Sequence, residues 1–204
     1  MRRRNPGHSP VLIVGLRNPG PNYEGSRHNV GAEVVEVLAA GAVFKRAPRR
    51  ILAELVPVDI GGRRAVLVMP ITFMNESGGP VSGLVKYYKT APGDLVLVHD
   101  DIDLPFGKVR FHGGRGSGGH NGVSSVIRSL GSREVWRLKI GVGRPPGRMD
   151  PADFVLRRFT NAERPDIDLV VPAAAGVLRT YLTAGADTAR QEAGDATTRL
   201  GIAE

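Results

Sequence analysis

Two polar signatures, each carrying a His-Asn pair beside glycines, stand far apart in the chain. GLRNPGPNYEGSRHNVG runs from Gly15 to Gly31 and GGRGSGGHNG from Gly113 to Gly122. Between them lies HDDID, His99 to Asp103. The chain has no cysteine, which excludes disulfides and thiolate zinc sites, and no His-rich metal motif. Any catalysis must therefore come from His, Asp and Asn. That set suits activation of a water molecule and polarisation of a carbonyl group.

His28 stands just before a helical pattern, in a loop made unusually polar by Asn18, Tyr23, Arg27 and Asn29. In open α/β sheets ligands bind outside the carboxyl ends of strands, and this loop follows the first strand. Asp100, Asp101 and Asp103 follow a second buried strand and are expected at the same sheet edge. Three readings are open for them: a Mg²⁺ site, a carboxylate that orients His28, or capping and solvated loop acids. Gly114, Gly116 and Gly119 fit G-x-G-x-x-G, but the loop does not follow the first strand, so a dinucleotide fingerprint is rejected. Arg115 occupies the first glycine position of a nucleophile elbow, which makes Ser117 a poor nucleophile. What remains is a flexible loop beside a helix N-terminus at His120-Asn121, suited to phosphate contacts, with Asn121 as a plain N-cap the alternative. Asn75 is expected either to cap a helix or to bind a ligand carbonyl. The Asn75-Glu76-Ser77 sequon is disregarded without a secretion signal.

Val11 to Leu16 is an apolar run that reads as a buried strand, and apolar residues at Val30, Val34, Val35 and Leu38 predict a helix. Phe44 to Arg50 reads as a basic loop. Ile51–Ile60 and Arg63–Met69 flank Gly61-Gly62 and predict a hairpin. Pro80 suits the first turn of a helix running to about Lys89. Strands follow at 94–99, 108–112 and 135–142, with a helix at 121–130 that Gly131 ends. A short helix opens at Asp150, and a last one runs from Pro165 to about Ala184, bent by Pro172. The expectation is a single three-layer α/β domain, with a twisted mixed, mostly parallel sheet and helices on both faces. It spans 1–204, with residues 1–10 a short N-terminal extension and about 186–204 a poorly ordered tail.

Hydrophobic residues make up 41% of the chain, enough for a real core. No stretch approaches about 18 apolar residues, so no membrane span is expected. Without an export signal, the cytoplasm is the expected compartment. The formal net charge is +8; residues 166–204 are net acidic and the body is strongly basic. That asymmetry points to a polyanionic partner.

VGLRNPGPNYEGSRHNVG, MPITFMNESGGPV, HDDIDLPFGKVRF, GGHNGVSSVI and LKIGVGRP, in that order, resemble the bacterial peptidyl-tRNA hydrolases over about Leu12 to Phe159. The resemblance implies hydrolysis of the ester between peptide and tRNA, which recycles tRNA after premature release from the ribosome. It implies His28 as general base and Asp100 as its orienting partner. Asn18, Asn75 and Asn121 would hold substrate, attacking water and oxyanion, while Tyr23, Phe73, Met74 and His120 would line the same cleft. The family works as a monomer with no metal cofactor, which demotes the Mg²⁺ reading. A basic pair grips the tRNA 5′-phosphate in the family. Here the positions fall on His112, where lysine is usual, and Lys139, with Arg110 or Arg115 as substitutes. A non-catalytic RNA-binding relative of the same fold is the alternative, disfavoured because His28, Asp100 and the three asparagines are all present.

Overall fold

The computed structural model describes residues 9–202, so most of the N-terminal extension lies outside the described residues. Among the described residues, seven strands form one sheet in the order β2-β3-β4-β1-β5-β7-β6. At its centre β4 (Arg63–Pro70), β1 (Val11–Gly15), β5 (Leu95–Asp101) and β7 (Trp136–Gly141) are parallel neighbours. The hairpin partner β3 (Ala53–Ile60) and the other flanking strand β6 (Val109–Gly113) run antiparallel to their neighbours. The basic segment read as a loop contains a two-residue edge strand, β2 (Lys45–Arg46), paired with β3.

Both faces of the central strands are apolar because both are covered. Val11 and Ile13 of β1, with Val96 and Val98 of β5, face a core shared with α1 (Val30–Ala39), α5 (Arg164–Ala184) and α6 (Ala186–Leu200). Leu12, Val14, Leu95 and Leu97 face a second core with α2 (Gly78–Tyr88) and α3 (Asn121–Leu130). The mixed three-layer α/β arrangement is as expected from the sequence.

One expectation is corrected. The segment from Gly185 is not frayed. It folds as α6, whose Ala189, Ala193 and Ala196 are buried, and the Val109 amide donates to Thr197 Oγ1. Alanines four and three apart make one smooth face that packs closely on α5. By length and composition α5 is apolar enough to cross a membrane. Ile167, Val170, Val171, Ala174 and Leu178 are nonetheless buried in the core between the sheet and α1. Pro172 stands within this helix, which continues on both sides of it.

Glycine matters most where α1 meets the sheet. A Cβ on Gly31 would sit 2.1 Å from the Val98 carbonyl oxygen. Only glycine lets the start of α1 press onto β5, which carries the residues immediately before α1 to the end of that strand.

Candidate active site

His28 lies in a 3-10 turn, Arg27–Asn29, immediately before α1. Its neighbours anchor it on both sides. The Asn29 side chain accepts from the Asn18 amide at 2.8 Å and donates to the Asn18 carbonyl at 2.9 Å, locking the turn to the loop after β1. Arg27 is 3% exposed. It donates to both Glu163 oxygens at 2.8 and 2.6 Å and to the carbonyls of Arg157 and Arg158, with its guanidinium over the Phe154 ring. Arg27 thus ties the turn to α4 (Pro151–Leu156) and the segment that follows.

Asp100 ends the buried part of β5 and is 2% exposed. His28 Nδ1 lies 2.8 Å from its Oδ1, and His120 Nε2 lies 3.0 Å from the same oxygen. Burial alone would raise the Asp100 carboxyl. The His120 and His28 imidazoles, by charge and hydrogen bonding, outweigh it and hold the group well below the usual carboxylate range. An ionised Asp100 accepts, so both rings donate. His120 Nδ1 accepts from the Val123 amide at 3.3 Å, which leaves its proton on Nε2. His28 correspondingly carries its proton on Nδ1, and its Nε2 keeps a lone pair with no partner among the described residues. This is the tautomer a general base needs.

His120, not Asn121, is the N-cap of α3, and Asn121 is the first helical residue with its side chain exposed. The capping alternative for Asn121 is therefore set aside. Asn75 likewise caps nothing: it sits inside a 3-10 turn, Met74–Glu76, and Ser77 occupies the cap position of α2. Asn18 Oδ1 accepts from the Met74 amide at 2.8 Å, so one asparagine side chain couples the loops after β1 and β4.

These groups line one cleft of about 630 Å³. Asn18, Tyr23, His28, Phe73, Met74, Asn75, Asp100, His120 and Asn121 all contribute to its walls. Phe73 remains 53% exposed and meets Tyr23 edge-on at 6.3 Å. Gly118 and Gly119 of the Gly-rich loop, Pro151, Val155 and Leu156 of α4, and His99 and Asp101 of β5 also line the cleft. His112, Arg115 and Lys139 lie outside it.

The three acids of HDDID do not converge as a Mg²⁺ site would require. Asp100 faces the two imidazoles, Asp101 pairs with Lys139 at 2.6 Å, and Asp103 pairs with exposed Arg144 at 2.6 Å. Among the described residues, those that could hold a metal are instead His28, Asp100 and His120, whose donor atoms lie within 4.8 Å of one another. Their separations of 2.8 and 3.0 Å are those of hydrogen bonds.

Beside the cleft, β6 and β7 place Arg110 opposite Lys139 and His112 opposite Arg137, so all four side chains share one sheet face. Burial, reinforced by the Arg137 charge, lowers His112 to about 4. His112 is therefore neutral near pH 7, and Lys139 is already paired. Arg137, singled out by nothing in the sequence reading, is fully buried. It donates to the Gly116 carbonyl, while its Nε and one terminal nitrogen have no partner among the described residues. Its signal was the alternation of Arg137 and Lys139 against Leu138 and Ile140, which gives β7 one basic and one apolar face.

The peptidyl-tRNA hydrolase family profile matches residues 12–199. The chain belongs to the peptidyl-tRNA hydrolase family. It is 48% identical over 183 residues to a peptidyl-tRNA hydrolase of Mycobacterium avium, covering 89% of this chain and 95% of that protein. It is 47% identical over 176 residues to one of Frankia alni, covering 86% and 89%. The crystal structure of peptidyl-tRNA hydrolase from Acinetobacter baumannii superposes with a TM-score of 0.84 at 32% identity, covering 92% of this chain and 96% of that one. The cleft therefore belongs to a hydrolase whose family acts on peptidyl-tRNA.

Proposed function

We propose that the cleft hydrolyses the ester joining a peptide to the terminal ribose of tRNA by direct attack of water. His28 Nε2 takes a proton from the water as it attacks the ester carbonyl. Asp100 holds the ring in its Nδ1–H tautomer and stabilises the imidazolium that forms. The Asn121 amide donates to the developing oxyanion, a contribution of about 3–4 kcal/mol for one such donor. Asn18 and Asn75 hold the water and the peptide backbone through neutral amides, which read no side chain and so accept peptides of any sequence. Tyr23, Phe73, Met74 and His120 form the walls. Collapse of the tetrahedral intermediate expels the ribose hydroxylate, which takes the proton from His28. An ester leaving group needs no more help than this, so the reading uses neither a covalent serine nor a metal or cofactor.

The acceptor stem lies along the basic side formed by Arg110, Arg115 and Lys139, held through phosphates without base reading. With His112 neutral at pH 7, the 5′-phosphate grip falls to its neighbours. The enzyme acts as a monomer in the cytoplasm, releasing tRNA from peptides freed early from the ribosome.

The observation that carries the proposal is the 2.8 Å contact between His28 Nδ1 and Asp100 Oδ1 on the wall of a cleft lined by three asparagines. The test is release of an N-acetyl-aminoacyl group from tRNA. Wild type should turn over, and His28→Ala should lose about 10²–10⁴-fold in rate. Full activity in His28→Ala would reject the mechanism, and RNA binding without turnover in wild type would reject the activity.

A further inference from the structure

The last residues of β5 send their side chains to opposite faces of the sheet. Asp100 goes to the α1 side and meets His28. His99 goes to the α2–α3 side, is 1% exposed, and meets His120. Nothing in the proposed chemistry uses His99. Its Nδ1 lies 2.6 Å from the Asp100 carbonyl oxygen, which accepts the proton that nitrogen carries. Its Nε2 is buried with no partner among the described residues. Its ring stands edge-on to His120, 4.6 Å between centroids, and His120 in turn lies 4.7 Å from His28. Three imidazoles thus pack in series beside Asp100, two on its carboxylate and one on its main-chain carbonyl.

We infer that His99 is a positioning residue: its ring is the wall that keeps His120 bonded to Asp100, and so sets how much of that carboxylate is left to His28. A carboxylate oxygen shared by two N–H donors binds each less strongly than it would bind one. While His120 is held in place, Asp100 stays ionised and aims His28 without over-stabilising its protonated form. The groups facing the array are Asp100 and His99 on β5, His28 before α1, His120 before α3, and Lys139 on β7. Burial and the neighbouring His120 hold His99 well below the usual histidine range, so it adds no charge that would compete for Asp100. A residue chosen only for packing would not need the backbone hydrogen bond that fixes this ring's plane.

The inference rests on His28 and Asp100 acting as base and orienter; that reading stands or falls separately, on the activity of His28→Ala. The test for His99 is the pH profile of kcat/KM for N-acetyl-aminoacyl-tRNA. In His99→Ala the His120 ring can swing off Asp100, which then serves His28 alone. The acid limb should move up by about half a pH unit or more, with kcat down about tenfold and KM little changed. His99→Phe restores a ring of similar thickness and should bring the limb back towards the wild-type position. An unmoved limb in folded His99→Ala, or the same displacement in His99→Phe as in His99→Ala, overturns the inference. A second measurement needs no variant. Long-range ¹H–¹⁵N spectra of the wild-type protein should show His99 neutral and protonated on Nδ1 from pH 5 to 8, and a His99 that titrates in that range overturns it as well.

Discussion

One carboxylate oxygen, Asp100 Oδ1, accepts from His28 at 2.8 Å and His120 at 3.0 Å, and the two donors have different free ends. His120 is closed off: its other nitrogen caps α3 through the Val123 amide. Of these two donors, His28 keeps a nitrogen with no partner among the described residues. Similar rings on a shared acceptor therefore divide into a base and a support. The same trio offers ligand atoms to a metal, and the two uses are exclusive, because a metal on His28 Nδ1 would displace the proton that Asp100 orients. Saturating EDTA is expected to leave the hydrolysis rate unchanged. A rate abolished by EDTA and restored by Zn²⁺ would assign the trio to a metal instead.

Among the elements, the turn before α1 places the base, and Arg27 places the turn. Arg27 is buried, donates from one terminal nitrogen to both Glu163 oxygens, and spans two segments distant in sequence. Arg27→Ala strips Glu163 and two carbonyls of this partner and should lower unfolding stability by about 1–3 kcal/mol; a loss well below about 1 kcal/mol in urea denaturation would show that the anchor is not structural. The elements that carry the site were legible in the sequence because their signals are local. Val11 to Leu16, Gly61-Gly62, and Asn121 to Leu130 with Gly131 announce strand, hairpin and helix by period and punctuation. The final helix was not legible, since alanines at Ala189, Ala193 and Ala196 bury a face too weakly apolar to register as a stripe. Site residues were legible where polarity interrupts a buried strand, as at Asp100. Arg137 and His99 were missed because their roles depend on which strand or ring lies across from them, and pairing is not written in either segment alone. The shared use of Asp100 by His120 was hidden for the same reason.

For the whole molecule, charge and burial make stability depend on pH in a stated direction. His112 is lowered from the usual histidine range to about 4, and burial with the neighbouring His120 also holds His99 well below that range. The unfolded chain therefore binds more protons than the folded one between about pH 6.5 and 4, and stability must fall as pH falls through that window. For His112 the effect is roughly 2 kcal/mol once solvent screening of the partly exposed ring is allowed for. Asp100 acts only at lower pH, since its stabilisation is complete above the unfolded carboxylate value. The melting temperature should accordingly decline from pH 7 to pH 4.5, and less steeply in His112→Gln; equal slopes would remove His112 from the account. The fold as a whole brings one loop after β1 and one strand end of β5 together, and the central claim is that His28 and Asp100 work as a single unit. The most direct measurement is a double-mutant cycle on kcat/KM with His28→Ala, Asp100→Asn and the pair together. The account predicts that the double variant is no slower than the worse single one, since either change alone removes the oriented base. Losses that multiply would mean that the two residues act independently, and would contradict it.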